Sequence, residues 1–356
     1  MRNQYNKKAT SAVAVDLFCG VGGLTHGLIK SGIAVSAGVD LDESCKFAYE
    51  KNNDAKFIAK NIKDFTATEL NALYGSANLK ILVGCAPCQP FSKHTQKNKE
   101  RDQDEKWGLL YHFLKLVKEL KPTIISMENV PQLAKYKVFE DFVCGIKDEG
   151  YFVSWKSVFC PDYGIPQNRT RLVLLASKLG KIELLPATRK RENYKTVADT
   201  IGKLELIDAG TISRNDFLHR SATLTQINLK RIRKSKPGGS WKDWEEGLRA
   251  QCHQKESGET YSSVYSRMRW DCPSPTITTQ FYSFGTGRFG HPEQDRALSL
   301  REGAMLQTFP RKYKFWDRKT PFSFRKIGVY IGNAVPVRLG EIIGRSIIRH
   351  MKEYHG

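Results

Sequence analysis

An open α/β fold with a mostly parallel, doubly wound, Rossmann-like sheet and a smaller, irregular second domain is what this sequence predicts. Three observations predict it. Short apolar runs of strand length alternate with helical stretches through the first half of the chain. A glycine turn joins the first strand to the first helix. After about Ser177 the alternation dissolves into polar, basic and glycine-containing sequence. Alternating strands and helices favour a parallel sheet covered on both faces, with ligands at the carboxyl ends of the strands. At 356 residues the chain exceeds one ordinary compact domain, and 40% hydrophobic with 11% aromatic residues supplies ample core.

Taken in order, Ala12 to Phe18 reads as a buried strand, Gly20, Gly22 and Gly23 as a turn, and Leu24 to Lys30 as a helix. A second strand, Ala34 to Val39, ends at Asp40, and a helix follows over Glu43 to Lys51. Further strands are predicted at Ile81 to Val83, Thr123 to Met127, Phe152 to Phe159 and Leu172 to Ala176. In the second domain Pro237, Gly238, Gly239, Trp241 and Trp244 stand out. Regular signals return at Ser299 and Glu302, which have capping-box spacing ahead of a helix that Pro310 closes. Glu341 to Met351 also reads as helix; packed beside the first strand, it would make the large domain discontinuous in sequence.

Lys and Arg outnumber Asp and Glu by 57 to 37, a net charge of +20, which favours a polyanionic partner because neutralised phosphates release counterions. Solubility alone is the blander reading of that charge. Lys230, Arg231, Arg233, Lys234 and Lys236 form a local basic cluster. The eight cysteines are scattered, and no apolar segment after Met1 to Thr10 could act as a secretory signal, so a reducing cytoplasm is expected. No run approaches the ~20 apolar residues of a membrane span, so no membrane association is expected.

Four segments carry chemistry. Asp16-Leu-Phe-Cys-Gly-Val-Gly-Gly23 puts glycines where a backbone turns sharply and lets a ligand approach, and Asp40 is placed to accept from a ribose diol. Thr25 stands where a dinucleotide fingerprint needs its third glycine, which weakens a nicotinamide or flavin reading and leaves an ordinary tight turn as the plain alternative. Gly84-Cys-Ala-Pro-Cys-Gln-Pro-Phe-Ser92 follows a strand and sets Cys88 on a loop where a thiolate could react. Cys85 and Cys88 also have the spacing of a redox dithiol or half a zinc site, although no second pair completes a metal cluster. Met127-Glu-Asn-Val130 ends another strand, so Glu128 either emerges at the same sheet edge as Cys88 or caps a turn. In Gln167-Asn-Arg-Thr-Arg171, Arg169 and Arg171 alternate and can share a face, aimed at a carboxylate or a phosphate, or simply solvated.

In this order the segments closely resemble the cytosine-5 DNA methyltransferase family, of the bacterial restriction-modification type, over most of the chain. Asp16 to Leu24 resembles its cofactor motif, Gly84 to Ser92 its Pro-Cys motif, Met127 to Val130 its Glu-Asn-Val motif and Gln167 to Arg171 its Gln-x-Arg-x-Arg motif. Pro273-Ser-Pro-Thr-Ile-Thr-Thr279 resembles the motif closing the target-recognition region, and Gly332-Asn-Ala-Val-Pro-Val337 the last motif, which completes the cofactor pocket. Three positions depart from the common pattern: Asn61 stands where many members have Asp for the adenine amino group, Leu41 where the neighbour is often aromatic, and Trp107 where the catalytic loop is often basic.

The resemblance implies an S-adenosylmethionine-dependent methyltransferase fold and a DNA (cytosine-5-)-methyltransferase that yields S-adenosylhomocysteine and needs no metal. It implies catalytic roles for Cys88, Glu128, Arg169 and Arg171. Cys88 adds to C6 of a cytosine rotated out of the duplex, Glu128 hydrogen-bonds its N3 and exocyclic amine, Arg169 orients Glu128 and the base, and Arg171 supports the loop or the DNA backbone. Cofactor contacts are expected from Asp16, Phe18, Gly20, Gly22, Gly23, Leu24, Asp40, Leu41, Asn61, Ile62, Pro87, Asn333 and Val335. DNA contacts are expected from Gln89, Ser92, Lys230, Arg231, Arg233, Lys236, Trp241 and Thr278, with the loop from Gln89 to about Trp107 closing over the base. A catalytic domain at 1–177, completed by 320–356, and a target-recognition domain at 178–319 with a variable core at about 178–265 are the expected organisation. The expected setting is a monomer in the bacterial cytoplasm, acting on double-stranded DNA beside a restriction endonuclease that shares its site without touching it, or encoded by a prophage. Methylation of transfer RNA and a catalytically silent DNA-binding regulator are the competing functions.

Overall fold

The computed structural model describes residues 12–87, 101–255 and 263–355. Two compact units emerge: Met1–Val158 with Thr170–Pro186 and Gly340–Gly356, and Phe159–Arg169 with Ala187–Leu339.

The first unit is built on strands and helices in alternation: β1 (Ala12–Leu17), α1 (Gly23–Ser31), β2 (Ala34–Asp40), α2 (Lys46–Asn52), β3 (Lys56–Ala59), α3 (Ala67–Ala72), β4 (Leu79–Gly84), α4 (Arg101–Leu120), β5 (Ile124–Asn129), α5 (Lys137–Asp148), β6 (Phe152–Phe159) and β7 (Thr170–Ser177). The seven strands lie in the order β3-β2-β1-β4-β5-β7-β6. From β3 to β5 every pairing is parallel, whereas β7 runs antiparallel to β5. β1 and β4 are central and covered on both faces, which is why they read as nearly continuous apolar runs rather than alternating ones. Leu17, Leu82, Met127 and Leu174 meet in one core, over which Phe113 of α4 and Phe142 of α5 pack edge to face with centroids 5.5 Å apart.

Local structure departs from the sequence-based expectation in small, explicable ways. The first strand stops at Leu17, because Phe18 already has φ +59°. The helix expected over Glu43 to Lys51 divides into a 3-10 turn, Glu43–Cys45, capped by Asp42 onto the Ser44 amide at 3.0 Å, and then α2. β3 has no counterpart among the expected strands: a four-residue edge strand with one buried side chain, Phe57, shows no periodicity.

The second unit carries little regular structure: α6 (Val197–Ile201), α7 (Gln226–Lys234), α8 (Leu300–Leu306) and α9 (Phe324–Asn333), joined by long turns and isolated bridges. α10 (Val337–His355) follows, and its residues from Gly340 onward belong to the first unit. There a Cβ at Gly340 would sit 2.8 Å from the Leu24 carbonyl oxygen, so α10 packs directly on α1.

Buried arginines replace a sheet as the frame of the second unit. Arg296, fully buried, makes a fork-to-fork pair with Glu302, both N–O distances being 2.7 Å, and also donates to the Ile207 and Ala297 carbonyls. Glu302 accepts in addition from the Ser299 amide at 2.7 Å, completing the capping box that starts α8. Burial by itself would raise the Glu302 carboxyl, but the charge and hydrogen bonds of Arg296, with His291 and His219 adding to them, together pull it to about 2. Arg267 donates likewise to the carbonyls of Ile232, Ser235, His291 and Gln294 and pairs with Asp295.

Glu302→Gln leaves Arg296 buried without its counter-charge, and the expected outcome is a loss of about 3–5 kcal/mol in urea unfolding at neutral pH. Because the folded carboxyl lies below its ordinary value, that stabilisation is present above the usual carboxylate range and drains away as pH falls towards about 2. A variant as stable as the parent at pH 7 would show that the pair does not hold the unit.

Candidate functional site

Strand register gathers the first group of site residues. Gly84 lies opposite Met127 in the parallel β4–β5 ladder, so the next residues, Cys85 and Glu128, fall side by side at the carboxyl ends. The Cys85 thiol donates to Glu128 Oε2 at 2.8 Å. Across the antiparallel ladder Glu128 faces Val173, and Arg171, two residues earlier on the same face, is its diagonal neighbour, within reach of a long side chain. Arg171 Nε stands 2.9 Å from Glu128 Oε1 as an ion pair, without the alignment of a hydrogen bond.

Glu128 is 2% exposed. Burial drives its carboxyl above the ordinary value, and the Arg171 charge and the Cys85 thiol only partly oppose it. Asn129 fixes the neighbouring loop: its amide donates to the Ala86 carbonyl at 3.1 Å, and its own oxygen accepts from the Val130 amide at 2.8 Å. Ala86 is buried and Pro87 exposed as the chain leaves the sheet edge. Cys88, Gln89 and Ser92 lie outside the described residues, as do the side-chain contacts of Trp107; the backbone from Arg101 is already in α4.

The role expected of Arg169 therefore needs correction. The ion pair to Glu128 belongs to Arg171, because β7 begins at Thr170 and only Arg171 is held in the ladder. Arg169 belongs to the second unit, where its Nη1 donates to Gln167 Oε1 at 3.3 Å and to the Ile277 carbonyl at 3.2 Å. Its Nε is buried and, among the described residues, unpartnered.

A second group surrounds the glycine turn. Gly20 has φ +49°, and a Cβ added there would meet nothing within 4 Å, so the backbone faces open space. Its amide donates to Asp40 Oδ2 at 2.8 Å, while Asp40 Oδ1 accepts from the Asp42 amide at 2.9 Å, tying the turn to the end of β2. Phe18, a side-chain-bearing residue with left-handed backbone, costs about 1–2 kcal/mol, a strain often found beside ligands. Gly22, also at positive φ, caps α1; Gly23 and Leu24 are buried in its first turn. Leu41 is 69% exposed, Ile62 is buried, and Asn61 caps a 3-10 turn by accepting from the Lys63 amide at 3.1 Å.

Asp16, at the end of β1, is 1% exposed. Its Oδ2 accepts from Thr25 Oγ1 at 2.7 Å, itself 3.0 Å from the Tyr49 hydroxyl, and its Oδ1 has no partner among the described residues. Burial raises this carboxyl to about 7, with Thr25 opposing and Asp40 adding to the rise. Thr25, the residue that spoils a dinucleotide fingerprint, is thus what holds Asp16. An open cradle at Gly20, a half-buried carboxylate at Asp40 and an orphaned acceptor on Asp16 suit a cationic, ribose-bearing group such as S-adenosylmethionine.

In the second unit the Gln-x-Arg-x-Arg segment and the Pro273–Thr279 segment are zipped together. Gln167, fully buried, accepts from the Ile277 amide at 3.0 Å and donates to Gln307 Oε1 at 2.9 Å, while the Asn168 amide donates to the Ser274 carbonyl. Gln307 donates onward to the Ile331 carbonyl at 2.9 Å. A Cβ on Gly332 would lie 2.5 Å from the Thr278 carbonyl carbon, so only glycine lets α9 approach that backbone. Thr278 and Asn333 are exposed and Val335 is buried.

The basic cluster divides. Lys230 and Lys236 are exposed, and among the described residues neither forms an ion pair; Arg233 pairs with Asp295 at 3.3 Å, and Arg231 donates to the Leu248 carbonyl and lies over the Trp244 and Tyr265 rings. Trp241, expected at a DNA surface, is instead 3% exposed and stacked on His253 at 4.3 Å, because it packs with Ile232, Trp244 and Phe284 in the core of this unit. Sequence reasoning does not find Cys85, Gln167 and Gln307 as residues that build the site. Only the pairing of Cys85 with Glu128 had a signal, since each follows a strand.

Asp16→Asn removes the buried carboxyl without changing its shape. The folded carboxyl lies above its ordinary 3.8, so its contribution favours the folded state at low pH and is lost as pH rises towards about 7. The cofactor-free variant is expected to unfold at higher urea than the parent at pH 8, the two converging near pH 4. Equal midpoints at pH 8 would contradict the assigned burial.

Known proteins are similar to this chain across nearly its whole length. The family model for C-5 cytosine-specific DNA methylase matches residues 13–349. The chain is 54% identical over 344 residues to the Type II methylase M.HgiDII of Herpetosiphon aurantiacus, covering 96% of each, and 29% identical over 353 residues to the Type II methyltransferase M.Sau96I of Staphylococcus aureus, covering 96% of this chain and 76% of that one. A solved prophage-encoded structure from E. coli superposes with a TM-score of 0.72 at 21% identity, covering 96% of this chain and all of the other.

Proposed function

The chain belongs to the C-5 cytosine-specific DNA methylase family, is a DNA cytosine methyltransferase, and from that premise we propose that it methylates a cytosine rotated out of duplex DNA through a covalent bond between Cys88 and C6. The observation that carries this reading is the buried Glu128 carboxyl, held between Arg171 and Cys85 with its pKa raised, at the sheet edge from which the chain runs into Cys88.

Cytosine C5 is a poor nucleophile, and addition of the Cys88 thiolate to C6 makes it enamine-like. Glu128, whose carboxyl burial shifts towards the protonated form, hydrogen-bonds N3 and the exocyclic amine and offsets the charge that develops as sulfur adds. Arg171 keeps that carboxyl aimed and limits its pKa rise; Arg169 steadies the segment preceding β7 through Gln167. S-adenosylmethionine, held by Asp16, Phe18, Gly20, Asp40, Asn61 and their neighbours with Asn333 and Val335, supplies when bound the methyl group that C5 takes. Loss of the C5 proton then expels Cys88 and restores the ring. No metal is required.

Target recognition belongs in this reading to the second unit, which holds the expected variable core at about 178–265 from residue 187 onward, and Lys230, Lys236 and Thr278 are exposed to meet DNA. The likeness to Type II enzymes supports a restriction-modification role, and the reading adds a monomer in the cytoplasm beside an endonuclease that reads the same site. Among the described residues no helix is long and apolar enough to cross a membrane.

Three measurements test the proposal. Duplex DNA containing 5-fluorocytosine should trap a denaturation-resistant adduct with the parent protein and none with Cys88→Ser; an adduct formed by the serine variant would overturn the assignment. Labelled methyl transfer is expected to duplex DNA and not to transfer RNA. Glu128→Gln should bind DNA yet lower single-turnover methylation by about 10²–10⁴-fold, and a near-parental rate would remove Glu128 from the chemistry.

A further inference from the structure

Among residues assigned neither to the catalytic edge nor to the 230–236 cluster, the second unit holds a guanidinium clamped by aromatic rings. The Arg220 guanidinium carbon lies 3.9 Å from the Phe322 ring centroid, 4.5 Å from that of Phe217 and 5.7 Å from that of Phe324. Phe217 stacks on Trp316 at 4.8 Å with a 16° tilt, and Phe322 meets Trp316 and Phe324 edge to face. These rings are half-buried. The clamp takes water from the faces of the guanidinium, and its burial lowers the Arg220 pKa. Among the described residues no carbonyl or carboxylate accepts from that side chain, so its edge donors are unanswered there. The neighbouring acids are engaged: Asp216 pairs with Arg301 at 2.6 Å, and Asp317 accepts from the Lys319 amide at 3.0 Å.

The stretch that supplies Trp316, Phe322 and Phe324 to this platform also carries a run of cations, of which Arg318 lies over the Phe217 ring. Arg311, Lys312, Arg318, Lys319, Arg325 and Lys326 are all exposed, and among the described residues none of them forms an ion pair, against the single acid Asp317 in that stretch. A stacked guanidinium has its orientation fixed and its hydrogen-bonding edge spare, which is the geometry of a phosphate receptor. Unpaired cations around it would neutralise further phosphates. A protein partner would need compensating carboxylates placed one by one, whereas a nucleic-acid backbone presents regularly spaced anions to the whole run.

We propose that the ring-clamped Arg220 and the cations of residues 311–326 form a second DNA-binding surface, which grips backbone phosphates of the duplex independently of sequence. This rests on the reading of the protein as a DNA methyltransferase.

The test is the salt dependence of binding to a cognate and a scrambled duplex, using the full chain with Arg220→Gln and, separately, a double variant that combines Lys319→Gln with Lys326→Gln. Removing one phosphate interaction should lower the log–log salt slope by about 0.9, so between about 50 and about 200 mM salt the affinity of Arg220→Gln should fall about threefold less than that of the parent. The change should be equal on both duplexes, with kcat at saturating DNA unaltered. Should Arg220→Gln fail to fold by thermal melting, the lysine pair, being on the surface, carries the test alone. Parental slopes in a variant set whose parent methylates DNA would overturn the second surface and leave the enzyme reading intact. A parent that neither binds nor methylates duplex DNA would overturn both.

Discussion

A carboxyl group buried at the end of a strand must be neutral, paired or both, and Glu128 is where the first unit meets that constraint. Keeping it there requires a partner for each oxygen. Cys85 supplies a donor as the chain leaves β4 and Arg171 a charge from β7, so the carboxyl joins three strands of the sheet. The antiparallel strand is indispensable: a reversed β7 puts position 171 diagonally across from 128, where an arginine reaches it. Burial and pairing then pull the pKa in opposite directions, with burial prevailing, so the carboxyl sits above its ordinary value.

The glycine turn obeys the same logic on the other side of β1. Its backbone is bent to positive φ, its amide is tied to Asp40, and Asp16 is buried under Thr25 with one oxygen unanswered among the described residues. A site that leaves a buried acceptor unsatisfied in the free protein gains when a cationic ligand arrives, so part of the cost of folding is recovered on binding.

The second unit solves a different problem. With no sheet among its described residues, it gathers turns around buried Arg267 and Arg296, whose several donors satisfy carbonyls that no strand ladder would reach. Its basic residues consequently serve two ends. Those with acceptors or carboxylates in reach hold the turns, and those left exposed without a counter-charge are available to phosphate.

Much of this was written in the residue order. The α/β alternation, the glycine turn, the strand ends carrying Asp40 and Glu128, and the capping box at Ser299 are local patterns, fixed by periodicity and backbone chemistry within a few residues. Family resemblance rests on the same short segments. What the sequence could not carry was anything set by register between distant strands: that Arg171 and not Arg169 pairs with Glu128, and that Cys85 faces it. Nor could it tell a buried Trp241 from an exposed one, or a clamped Arg220 from a solvated one. Composition records which side chains are present, but only packing decides which of them spend their hydrogen bonds inside the protein and which are left for a partner.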